Sequence, residues 1–329
     1  MPESLFGMLL LCFCTYLGLG QFVAGSNSGY LLDLSAVLAV FTGVSTVHWY
    51  YRERRWVAYS RSACILILIS FLYTYLAVLA FDTVPWNADG SLFALDRAIG
   101  MERLHLRIAP ALTTQIWFTE LLSVAYSLFI PYLAISVLQI TQYKNTALRD
   151  LFFTALATLY CIGFLGYLFI PAQGPIVALA EQIGANINGG FFHALVTGSV
   201  NKAGGPHGAF PSIHVAASVL IFLFDFKHGS RERAWIYLPL IILIAIATVA
   251  LRYHYVVDLM AGILLALFSL LFANRLYRKQ RVRAVAHHTK NVEHCAKEPL
   301  YPADNNVSRA ARHENALIRH SDWEHQREV

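Results

Sequence analysis

Eight stretches of mostly apolar residues, near 5–24, 30–50, 62–81, 115–140, 150–171, 212–227, 234–251 and 255–274, divide this 329-residue chain. A helix rises about 1.5 Å per residue, so about 20 apolar residues match the hydrocarbon thickness of a bilayer. Inside that thickness every backbone N–H and C=O must find its partner within the protein, which makes helices the spanning form for segments of this length. The pattern predicts an all-α polytopic membrane protein with about eight transmembrane helices. Composition agrees: 57% of residues are apolar and 14% charged, against about 45–50% and about 25% in soluble domains. A soluble globular fold, a disordered chain and a disulfide scaffold are excluded. The stretch at 5–24 lacks the basic start and small-residue cleavage site of a signal peptide, and a second apolar stretch follows closely.

Lys and Arg in short loops mark the cytoplasmic side. Arg52, Arg54, Arg55 and Arg61, then Lys144 and Arg149, then Lys227, Arg231 and Arg233, then Arg275, Arg278 and Lys279 all fall on one side if both termini are cytoplasmic. Three parts follow: two N-terminal spans in 1–58, a six-helix core in 59–275, and a polar, basic cytoplasmic tail in 276–329. The net charge of +5 sits mostly in that tail. Its basic start suits anionic lipid head groups, and nothing in the charge pattern suggests nucleic acid. Two long connections, 82–114 and 172–211, fall on the extracytoplasmic face, where connections of such length are usually functional. The first suggests an interfacial helix over 92–108; the second is rich in glycine.

Two sequence features on that face carry chemistry. At the start of the sixth stretch stands Gly208-Ala209-Phe210-Pro211-Ser212-Ile213-His214. Pro211 in a first helical turn, with free N–H groups and the Ser212 hydroxyl nearby, makes an anion site, and Gly208 lets backbone approach a phosphate. At the start of the eighth stands Arg252-Tyr253-His254-Tyr255-Val256-Val257-Asp258. His254 and Asp258 are four apart and would share a helix face, so the carboxylate could fix the imidazole tautomer. Gly166-Tyr167…Pro171…Pro175 ends the fifth stretch at the same level. A single histidine at a helix start is more often a capping residue, and a single arginine at a membrane edge simply snorkels. Two histidines, an arginine and an aspartate at one membrane depth outweigh those readings.

The Pro-Ser-Ile-His and His-Tyr-Val-Val-Asp motifs resemble those of the type 2 phosphatidic acid phosphatase superfamily. Together with the Gly166-Tyr167…Pro175 segment they look most like its inositol phosphorylceramide synthase, or inositolphosphotransferase, branch. The resemblance covers roughly 60–275. The Lys-x6-Arg-Pro motif of the superfamily's phosphatases is absent, and Ala247 and Thr248 stand where their Ser-Arg would precede the second histidine. The resemblance implies phospho-head-group transfer among membrane lipids, without a metal or other cofactor. It implies His254 as nucleophile, Asp258 as its orienting acid and His214 as proton donor and acceptor. Ser212, Arg252, Gly208 and Tyr167 would form the phosphate and substrate site. The alternatives are a lipid phosphate or polyprenyl diphosphate phosphatase and a non-catalytic membrane protein or transporter. Glu120 could face the site or serve as a structural partner. Lys202 and His207 could touch a head group. His287, His288, His294 and Cys295 lack a zinc-like spacing.

Overall fold

The computed structural model describes residue 7 and residues 28–51, 55–83, 86–184, 187–203 and 205–297. The apolar stretch at 5–24 therefore lies outside the described residues, as does the tail beyond Lys297. The described chain is helical: α1 Ser28–Tyr50, α2 Arg55–Thr83, α3 Asp89–Ala98, a π-helical turn Leu104–Ile108, α4 Ala109–Leu112, α5 Ile116–Ser127, α6 Phe129–Thr141, α7 Thr146–Phe169, α8 Pro175–Ala178, α9 Ala180–Ile183, α10 Phe191–Lys202, α11 Ile213–His228, α12 Arg231–Ala250 and α13 Val256–Lys297. No strand occurs among the described residues. One compact unit reaches Tyr277 and a second begins at Arg278, where the described residues stay helical to Lys297.

Five segments among the described residues are long and apolar enough to cross a membrane: Trp56–Leu76, Ile116–Thr141, Thr146–Phe169, Arg231–Ala250 and Val256–Lys279. Helix α1 adds a shorter apolar run, Ser35–His48. Helix α11, the expected sixth span, has only 16 residues. At about 1.5 Å per residue it is shorter than a bilayer core, and the chain before it forms the floor of the candidate site. The Ile116–Thr141 segment breaks at Leu128, between α5 and α6. Pro131 has no N–H to donate to Ser127, which accounts for the interruption.

Helix α7 is the centre of the bundle, with Phe152, Phe153, Leu156, Tyr160 and Phe164 all buried. It packs on α2 and α11; α11 in turn packs on α12, and α12 on α5. At the end away from the candidate site, Arg233 reaches Asp225 Oδ2 at 2.7 Å, Gln139 Oε1 at 3.0 Å and Tyr143 Oη at 2.8 Å. Arg61 pairs there with Asp150 at 3.2 Å. Two of the basic residues that mark a membrane side thus also tie helix ends together.

Three expectations change. The 92–108 helix is instead α3, ending at Ala98, followed by the π turn from Leu104. Gly100, at φ 79°, separates them. The glycine-rich connection 172–211 contains a twelve-residue helix, α10. The last helix does not stop at 274 but continues to Lys297; no Gly or Pro interrupts 275–297, a run rich in Arg, Lys and Ala, which favour helix.

Candidate active site

Helix α12 ends in a Schellman turn, in which Tyr253 N–H donates to Thr248 O at 3.0 Å and Arg252 N–H to Val249 O at 2.9 Å. The residue just past the cap of such a turn is left-handed and usually glycine. Here it is Arg252, at φ 64°, a conformation that costs an L-residue about 1–2 kcal/mol. Its guanidinium offsets that cost, with Nη1 donating to Gly184 O at 2.6 Å and Nη2 to Thr113 Oγ1 at 3.3 Å. Burial lowers the Arg252 pKa from its ordinary value. The guanidinium therefore ties two loops together and does not line the cleft described below, contrary to its expected place on the phosphate. The turn also rests on Gly174, at φ 85°, where a Cβ would come within 2.3 Å of Tyr253 O.

The turn delivers His254, which is 3% exposed. Its Nδ1 donates to the Ala209 carbonyl at 2.7 Å. A carbonyl only accepts, so Nδ1 carries a proton, and in the neutral ring Nε2 is the nitrogen with the lone pair. Asp258 Oδ2 stands further off, 3.4 Å from Nδ1. That oxygen accepts the Tyr255 N–H at 2.7 Å, as the third helical residue does in a capping box. The expected shared helix face is thus corrected: His254 precedes α13, and capping of that helix brings Asp258 near it.

The second histidine comes from the first turn of α11. His214 and His254 have ring centroids 5.9 Å apart. His214 lies between Tyr126 at 4.7 Å and Phe129 at 4.6 Å, with Tyr73 edge-on at 6.1 Å. Ser212 is the N-cap of α11, so Pro211 precedes the cap and does not occupy the first turn. Ser212 N–H donates to Asp258 O at 3.1 Å, which joins the starts of α11 and α13. Tyr167 packs behind Gly208, whose Cβ, if present, would lie 2.9 Å from the tyrosine ring. Tyr167 Oη, Ser212 Oγ, His214 Nδ1 and Asp258 Oδ1 are buried without a hydrogen-bond partner.

The long connection before α5 holds this centre in place, a role that sequence reasoning missed. Asp89 accepts from Gln173 N–H at 2.9 Å, Gly174 N–H at 2.8 Å and Tyr255 Oη at 3.0 Å. Burial first, and Asp89 next, push the Tyr255 phenol above its ordinary pKa, so it remains the donor. Asp96 accepts from Val256 N–H at 2.8 Å and Val257 N–H at 2.9 Å, the first two residues of α13. It also meets His105 Nε2 at 2.6 Å, and both side chains are fully buried. An anion at a helix N-terminus satisfies donors the helix cannot and complements its dipole. The acids were visible in 82–114, but nothing in the sequence assigns them to particular N–H groups.

A small cleft reaches His254, lined also by Tyr73, Tyr126, Tyr253, Gln173, His207 and the Gly205–Ala209 segment. None of the described lining residues is Lys, Arg, Asp or Glu. His207 and Gly208 are among its lining residues. Glu120 has the structural role: its carboxylate accepts from Gly190, Phe192 and His193 N–H, each at 2.9 Å, and caps α10. Among the described residues no three His, Cys, Asp or Glu side chains group as metal ligands. The side chains of His287, His288, His294 and Cys295 lie outside those described.

Fold and site together define a polytopic helical membrane protein with two imidazoles buried beside a small cleft. A family model described as PAP2 superfamily matches residues 90–272, and the chain belongs to that superfamily. It is also similar to a PA-phosphatase related-family protein of Dictyostelium discoideum, 36% identical over 117 residues. That alignment covers 34% of this chain and 21% of the relative, so the match spans about a fifth of the relative's length. No solved structure matches the chain.

Proposed function

We propose that this protein transfers a phospho-head-group to or from membrane lipids through a phosphohistidine, as an inositolphosphotransferase-like enzyme facing the extracytoplasmic side. The observation that carries the reading is the hydrogen bond of His254 Nδ1 to Ala209 O at 2.7 Å, with His214 next to it. It leaves Nε2 available to attack phosphorus. The P–O bond to the leaving alcohol breaks as the N–P bond forms, and His214 gives that alcohol its proton. In the second half His214 takes the proton of an acceptor hydroxyl, whose oxygen displaces His254. Each such proton transfer contributes about 10²–10⁴-fold. Asp258 steadies the positive charge on His254, while Ser212 and the Gly208 backbone receive phosphate oxygens. No cation lines the described cleft, so backbone N–H groups and His207 carry more of the phosphate contact than an arginine clamp would. The basic start of the tail suits anionic lipid head groups.

Purified protein given head-group-labelled phosphoinositide and ceramide tests the reading. Labelled sphingolipid should form with the native chain and not with His254→Ala, and His214→Ala should slow both halves. Full turnover in His254→Ala would refute it. Similarity to the PA-phosphatase related-family protein of Dictyostelium supports a second reading, a lipid phosphatase, in which water takes the acceptor's place. Release of inorganic phosphate from a monoester, with no labelled lipid product, would select it.

A further inference from the structure

Glu120 is an acid one turn inside an apolar span, and ionisable groups at such depth are costly unless they serve a partner. We propose that α10 is an interfacial helix. Its first turn is sunk in the lipid leaflet on the cleft side, against the ester and upper acyl region of phospholipids. The inference rests on the membrane fold and needs none of the proposed chemistry.

The depth follows from the cap. The span Ile116–Thr141 starts four residues before Glu120, which puts the carboxylate about 6 Å along the helix from its start. Both carboxylate oxygens are committed to N–H groups at the start of α10. The first turn of α10 is therefore held at that level. A helix starting in water can satisfy its free N–H groups with solvent or with a side-chain cap; one starting within the leaflet has no water for them and requires an internal acceptor. An acid at that end also complements the helix dipole.

The surface of α10 agrees with this placement. Phe191, Phe192 and Leu195 are 73%, 41% and 51% exposed. On neighbouring α5, Ile116 and Trp117 are likewise exposed. The exposed residues at the far end of α10 are polar: Ser199, Asn201 and Lys202. Polarity thus changes along the axis, not around it, as suits a helix inclined with its N-terminus in lipid and its C-terminus in water. Val200 and Ala203, at that wet end, are walls of the cleft.

Nitroxide labels at Phe191→Cys, Leu195→Cys and Asn201→Cys, each in the full chain with its native cysteines replaced, test this in phosphatidylcholine vesicles. Dissolved oxygen concentrates in lipid and a nickel chelate stays in water. The oxygen-to-nickel accessibility ratio should be several-fold higher at 191 and 195 than at 201. Equal ratios, or higher nickel access at 191 and 195, would overturn the proposal. Adding Glu120→Gln, which keeps the fold's shape but weakens the cap, should lower the ratio at 191 toward that at 201; an unchanged ratio would sink the role given to Glu120. A chain inactive on every lipid would leave these readings as they are, so the two proposals fail separately.

Discussion

Removing the Asp96 carboxylate should damage the site more than its distance from phosphorus suggests. In Asp96→Ala, the N–H groups of Val256 and Val257 and the Nε2 of His105 lose their acceptor. A buried donor left unpaired costs about 1–3 kcal/mol, and because the Val256 and Val257 N–H groups are only part-buried the three donors each fall toward the lower end of that range. A loss of about 3 kcal/mol is therefore expected, read as a fall in the thermal midpoint in detergent micelles. The first turn of α13 would also loosen, two residues after His254. A shift of about 1 Å in a reacting group can cost about 10²-fold, so phosphoenzyme formation should slow by that order at saturating substrate. His105→Gln keeps a donor near the same carboxylate and should cost less than about 1 kcal/mol, with the rate nearly intact. An Asp96→Ala protein with native midpoint and native rate would refute the reasoning, as would His105→Gln being the more damaging change.

Gly174→Ala should abolish turnover, because its Cβ would lie 2.3 Å from Tyr253 O in a backbone conformation at φ 85°; circular dichroism of the purified variant should still show a helical protein. Arg252→Gly removes a left-handed strain of about 1–2 kcal/mol but loses two charged hydrogen bonds of about 1.5–3 kcal/mol each. The variant should be less stable by about 1–5 kcal/mol yet still form phosphoenzyme. A total loss of labelling in a folded Arg252→Gly protein would instead place the guanidinium on the phosphate.

The sequence revealed five spans that the described residues bear out and the two histidine motifs, because hydropathy and short motifs are local properties. Paired motifs at the starts of two apolar stretches implied that His214 and His254 meet, and their rings stand 5.9 Å apart. The reason given for Asp258 was local as well, and it was wrong in kind. Helical periodicity suggested a shared face, whereas the aspartate caps the Tyr255 N–H one residue past the histidine. Helix α10 could not be read from its own residues. Its glycine-rich flanks look like loop, and its N-terminus is completed by Glu120, seventy residues earlier in the chain. Arg252 shows the same limit, since an arginine two residues before a motif histidine looks like a phosphate ligand. Only the left-handed turn and the Gly184 and Thr113 contacts direct it elsewhere. The helix end at Asn145 was legible and went unread: its side chain accepts from Ala147 and Leu148 N–H at 3.1 and 3.2 Å, which starts α7 four residues before the expected span.

The central claim is that His254 attacks phosphorus through Nε2, because Nδ1 is spent on Ala209. Trapping the phosphoenzyme from a phosphorus-labelled lipid donor and assigning the modified ring nitrogen by NMR of the isolated peptide tests it directly. The account predicts acid-labile phosphate on Nε2 of His254. Phosphate on Nδ1, or on another residue, would contradict it.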